Sequence, residues 1–183
     1  MDSGKARELA LTKLAEGLPG ITPAYGSALA EAGAICFEDQ NHPEGVELKV
    51  DGAFTAKYKV YWQEVTDQML RCWNDPEDTT EHAAYGVAFL LMRDLTEYTV
   101  ISRSLKGTGF DYWLAKEEHE DEPPSFQNKA RLEVSGIRSG DISRVQARVR
   151  QKLEQVKPSD SLLFPTYIVV VEFGVPLSQV VIK

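Results

Sequence analysis

The run TYIVVVEF, residues 166–173, constrains the fold of this 183-residue chain more than any other segment. Its apolar residues are continuous and do not alternate with polar ones, so this strand must be covered on both faces. Residues 81–95 make a similar demand: Ala84, Val87, Ala88, Leu91 and Leu95 lie on one side of a helix and Tyr85, Phe89 and Met92 on another. A helix apolar almost all round belongs in the centre of the protein. Between the two segments come three strand patterns, TVISRS, FDYWLA and ARLEVSGI, the first two joined through LKGTG. A helix then runs from Gly140-Asp141 to about Val156, with Ile142, Val145, Val149 and Leu153 as its apolar stripe. From residue 81 onward the order is helix, three strands, helix, strand, which defines an α/β core.

The preceding 80 residues read as an extension of helices and one β-hairpin. Helices are expected at 3–17, about 23–37 and 64–74, with Thr79 or Thr80 capping the central helix. VELKV and AFTAKYKVYW flank Asp51-Gly52, a strong hairpin signal, and Lys57 and Lys59 alternate with Tyr58 and Val60 as in a half-exposed ribbon. The connection KEEHEDEPPS, 116–125, is too acidic and Pro-rich for a core element and reads as a mobile loop. The length fits one domain over 1–183, with 1–80 as the extension and 81–183 as the core.

No apolar run is long enough to cross a bilayer, and the first residues lack a basic segment followed by an apolar one. A cytoplasmic protein without a membrane partner is expected. Cys36 and Cys72, with no CxxC and no nearby histidines, read as buried apolar residues. His42, His82 and His119 lie far apart, with no metal-binding spacing.

Two neighbouring strands each offer one carboxylate. Asp111 follows the turn Gly107-Thr108-Gly109, and Glu133 lies inside ARLEVSGI. Alternation places Asp111 and Trp113 opposite Phe110, Tyr112 and Leu114, and Arg131, Glu133 and Ser135 opposite Ala130, Leu132 and Val134. Two carboxylates on adjacent strands can converge on a hard cation such as Mg²⁺, leaving coordination positions for phosphate. The helix beginning at Gly140-Asp141 carries Arg144, Arg148 and Lys152 at four-residue spacing, a stripe able to follow a phosphate backbone. The net charge of −8 opposes bulk attraction to nucleic acid, but its distribution is uneven. Residues 1–100 hold 8 Lys/Arg against 17 Asp/Glu, and residues 101–183 hold 12 against 11. The half with the carboxylate pair is therefore near neutral.

The element order, with an acid on the second and third strands, resembles the core of the restriction-endonuclease-like (PD-D/ExK) nuclease superfamily over about 100 residues. The whole chain is also similar to an uncharacterised bacterial protein family of like length, which implies no activity. The nuclease resemblance implies a phosphodiesterase using Mg²⁺ or Mn²⁺ on nucleic acid, or a descendant of one, with Asp111 and Glu133 as metal ligands. It implies Glu81 or Glu97 as an additional acid, and Arg144, Arg148 and Lys152 as phosphate contacts. The superfamily's lysine, two residues after the glutamate, is Ser135 here. Lys129, Gln151 and Lys152 are the candidate replacements; Lys129 lies about 13 Å from Glu133 along the strand. The missing lysine and the acidic N-terminal half fit a second reading, a non-catalytic protein that retains the fold and contacts a protein partner through that half.

Overall fold

Both faces of the 166–173 run are covered. The computed structural model describes residues 6–116 and 129–183, so the connection read over 116–125, apart from Lys116, and His119 lie outside the described residues. In chain order the strands are β1 (Arg7–Ala10), β2 (Val46–Gly52), β3 (Ala56–Tyr61), β4 (Tyr98–Arg103), β5 (Tyr112–Lys116), β6 (Lys129–Ile137), β7 (Thr166–Glu172) and β8 (Leu177–Ile182). The α-helices are α1 (Pro23–Asp39), α2 (Asp67–Cys72), α3 (Pro76–Leu95) and α4 (Ile142–Gln155). The described strands form one mixed sheet in the order β1-β3-β2-β8-β7-β6-β5-β4. Tyr167, Val169 and Val171 of β7 join the larger apolar cluster with α1 and α3, whereas Ile168 and Val170 join a smaller one beneath α4. That division explains why TYIVVVEF does not alternate. No described helix is long and apolar enough to cross a membrane.

The order helix, three strands, helix, strand is present as α3, β4, β5, β6, α4 and β7, with β4–β5–β6 antiparallel and β6–β7 parallel. The N-terminal region departs from the expectation of a helical and hairpin extension. Residues 7–10 of the expected 3–17 helix form β1, paired in parallel with β3, and Leu11–Glu16 is a 3₁₀ turn. Leu9, Leu11 and Leu14 are all buried in this arrangement, so the apolar spacing serves it as well as a helix, and pairing with the open edge of β3 prevails over local propensity. Asp51 and Gly52 do not form a two-residue turn; both stay in β2 and pair with Gln179 and Val180 of β8, which joins the hairpin to the rest of the sheet. The central helix starts at Pro76, earlier than residue 81, because the cap is Asp75 and not a threonine. Its carboxylate accepts from the Glu77 and Asp78 amides at 2.8 and 3.1 Å. Cys36 is buried as expected, but Cys72, at the end of the short α2, is exposed.

One mismatch of strand lengths shapes the site. β6 pairs with β7 from Arg131 to Ile137, but with β5 only from Lys129 to Leu132. Beyond Leu132 the edge of β6 opens into a notch, flanked by the first turns of α3 on one side and by α4 on the other. Tyr112 anchors the start of β5 by packing edge-on against Tyr85 and Phe89 of α3, at ring separations of 5.2 and 4.8 Å. The turn before it needs its glycines, since Gly107 and Gly109 have φ of 93° and 86°. Gly109 also passes so close to α4 that a Cβ there would stand 2.7 Å from the Gln155 carbonyl oxygen, whereas one at Gly107 would meet nothing within 4 Å. Gly107→Ala should therefore cost only the backbone strain, about 1–2 kcal/mol. Gly109→Ala should cost that and a further ~1–3 kcal/mol for displacing the end of α4. Urea unfolding of the two variants checks the ranking, and equal losses would contradict the close approach.

Candidate metal and phosphate site

Asp111 stands at the corner of the notch. Its amide donates to the Leu132 carbonyl at 2.9 Å, and its carboxylate Oδ2 accepts from the Val134 amide at 2.9 Å. The side chain thus takes over the β6 amide that a longer β5 would have engaged, and the ladder ends there. Glu133 lies on the next strand, with its side chain entirely buried on the α4 side. Lys152 Nζ and Gln155 Nε2, both from α4, donate to Glu133 Oε1 at 2.6 and 2.8 Å. Glu133 Oε2 is buried and receives no donor from the described residues, and the Asp111 carboxylate is close enough for its charge to act on Glu133.

This proximity has electrostatic consequences. Burial, and then the Asp111 charge, push the Glu133 carboxyl up to about 8, with Lys152 pulling the other way. Burial likewise raises Asp111, opposed by the Val134 amide and by Lys152. The two acids titrate as a pair, and in the absence of a cation a proton shared between them relieves the repulsion. Across the notch, Tyr85 donates to Glu81 Oε1 at 2.8 Å, and burial, followed by the Asp111 charge, keeps the phenol protonated.

The sequence candidates divide by location. Asp111, Glu81, Arg144, Arg148 and Lys152 all line one cleft of about 540 Å³, whose floor is the free edge of β6 and beneath which Glu133 lies. Lys129 is directed elsewhere, with its ammonium 5.6 Å from the Trp113 ring centroid. Gln151 is exposed, and Glu97, at the far end of α3, pairs with Lys116 at 2.6 Å. Of the proposed replacements for the missing lysine, Lys152 is the one that meets Glu133. Ser135 accepts from Arg148 Nη1 at 2.6 Å, so its small side chain leaves the space into which α4 projects cations. Arg144 donates to the Ser139 carbonyl at 2.9 Å. Sequence reasoning missed Arg138, which lines the cleft while bound to Asp39 at 3.0 Å, and Glu77 in the first turn of α3. Its signal for Arg138 was only a basic residue closing a strand.

No group of three or more His, Cys, Asp or Glu side chains is placed to hold a metal among the described residues. A pair of carboxyls with one donorless oxygen nonetheless fits a hard divalent ion, since Mg²⁺ commonly binds one or two carboxylates and completes its shell with water and phosphate. Asp111 and Glu133 would hold it, with Glu81 on the opposite wall. No family model matches the chain, and neither a curated protein nor a solved structure does.

The raised Glu133 carboxyl sets the direction of a pH effect on the metal-free protein. Between its ordinary value of 4.5 and about 8, the native state keeps a proton that the unfolded chain gives up. Stability should therefore fall as pH rises through that window, by at most about 1.4 kcal/mol per unit. Glu133→Gln should flatten the dependence. Urea unfolding in EDTA at several pH values tests this; a wild type that gains stability across the window, or a variant with the same slope, would contradict it.

Proposed function

We propose that this protein is a divalent-metal-dependent phosphodiesterase acting on nucleic acid, with α3, β4, β5, β6, α4 and β7 forming a restriction-endonuclease-like core. The observation that carries the reading is the juxtaposition of half-buried Asp111, just before β5, with buried Glu133 on β6, Lys152 on Glu133 and a row of cations beside it. Mg²⁺ or Mn²⁺ bound there would stabilise charge on the scissile phosphate and acidify a water molecule. The chain's own residues supply position and charge. Asp111 is fixed by the Val134 amide, and Glu133 by Lys152 and Gln155. Lys152, once drawn from Glu133 toward the incoming phosphate, takes the water-orienting role that Ser135 cannot fill. Arg148 and Arg144 continue the positive wall away from the acids and hold the flanking phosphates.

One observation favours a non-catalytic interaction protein instead: Lys152 and Gln155 already satisfy Glu133 Oε1, so the site is held closed by its own side chains. The two readings differ in their response to metal. A phosphodiesterase should show a higher melting temperature in Mg²⁺ or Mn²⁺, and this gain should be absent from Asp111→Asn. Cleavage of mixed single- and double-stranded DNA and RNA should require the metal, stop with EDTA, and fall by orders of magnitude in Asp111→Asn and Glu133→Gln. A wild type that neither shifts with metal nor cuts any substrate leaves the interaction reading in place.

A further inference from the structure

The two walls of the cleft differ in charge: three cations line the α4 wall, whereas the α3 wall has two exposed carboxylates and the Arg138 guanidinium, which is bonded to Pro76 and Thr80 and already paired with Asp39 at 3.0 Å. On the α4 wall, Arg144, Arg148 and Lys152 follow one another at four-residue spacing, about 6 Å along the helix axis. Among the described residues, Arg144 and Arg148 bond only to neutral oxygens, those of Ser139, Ser135 and Gly136, and neither has a carboxylate within ion-pair distance. Two guanidiniums without a carboxylate partner among the described residues stand beside one cleft in a chain of net charge −8. The α3 wall facing them presents Glu77 and Glu81, both exposed, with the Tyr85 hydroxyl bonded to Glu81.

A duplex has two phosphate rails, and seating one on α4 would bring the other toward carboxylates. A single strand has one rail. Its phosphates can run along α4 at about one nucleotide per helical step, while its bases turn to the α3 wall, where Glu77 and Glu81 accept hydrogen bonds from base N–H groups, the N3 imide of thymine or uracil or the exocyclic amines of the other bases. The cleft volume of about 540 Å³ is in the range of small-ligand sites and suits one or two nucleotides at a time. We infer that this cleft binds single-stranded nucleic acid, with the phosphate rail on Arg144, Arg148 and Lys152 and the bases against Glu77, Glu81 and Tyr85. The inference rests on the phosphodiesterase reading, whose substrate it specifies as a single strand, or a strand separated from its partner, that delivers a phosphodiester to Asp111 and Glu133.

Fluorescence anisotropy in EDTA, with labelled dT and rU oligonucleotides and a blunt DNA duplex of equal length, measures binding apart from cleavage. Single strands should bind at least tenfold tighter than the duplex at low salt in both the dT and the rU arm. Arg144→Ala with Arg148→Ala should reduce the slope of log affinity against log salt by about 1.4 for single strands, two contacts at about 0.7 each. Glu77→Gln with Glu81→Gln, which keeps an acceptor for Tyr85, should raise duplex affinity and narrow the discrimination. Duplex binding equal to or tighter than single-strand binding, or an unchanged salt slope in the arginine variant, overturns the inference. The phosphodiesterase reading is judged separately, by metal-dependent cleavage of the same oligonucleotides, so rapid duplex cutting would preserve that reading while removing this one.

Discussion

A buried carboxyl in the middle of a sheet is the constraint around which this end of the molecule is arranged. Glu133 is shielded from water on an interior strand, where an unpaired charge costs several kcal/mol. Lys152 and Gln155 are placed to answer one of its oxygens, which fixes the phase of the last turns of α4. Fixing α4 in turn requires the chain preceding β5 to pass under its end, and Gly109 is the residue that permits this approach. The second oxygen has no donor among the described residues, and Asp111 stands close enough for its charge to act on the same carboxyl. The acid pair, the glycine turn and the basic helix are thus parts of one electrostatic arrangement, although they are spread over some fifty residues of sequence.

The same arrangement explains why a cleft exists at all. Asp111 ends the β5–β6 ladder by offering its side chain to the Val134 amide, so β6 continues to Ile137 with one edge free. An open sheet edge normally invites pairing with another chain. Here it lies between α3 and α4, and close contact with α3 is made at Gly136, where a Cβ would stand 2.4 Å from the Thr80 carbonyl oxygen. The edge is sheltered from a second strand yet open to a ligand.

Much of this was legible in the sequence because it depends on local pattern. The continuous apolar run of β7, the all-round apolar α3 and the stripe on α4 report burial directly, and alternation along β6 put Glu133 on the face opposite Ala130, Leu132 and Val134. Features set by distant partners were not legible. Leu9, Leu11 and Leu14 are compatible with a helix as well as with a strand and 3₁₀ turn, and only the free edge of β3 decides between them. Asp51-Gly52 carries a turn signal overridden by pairing with β8, more than 120 residues away. The replacement for the absent lysine could be narrowed to three residues but not chosen, because the choice depends on how α4 is rotated over β6.

That rotation bears on the chemistry of the site. A lysine at position 135 would extend from the same strand as Glu133, at a separation set by the pleat. Lys152 approaches from a different layer, held by a carboxylate it must leave before it can act on a phosphate or a water. The Arg148 guanidinium on Ser135 occupies the space such a strand lysine would need, so the two cations on α4 replace one on β6 and add a second positive charge. The extra charge lies further along the cleft, on the wall away from Glu77 and Glu81. Lys152 and Arg148 thus place the acid pair beside a row of cations on α4, and in the proposed phosphodiesterase the helix that contacts Glu133 would also be the one that guides a phosphate backbone toward it.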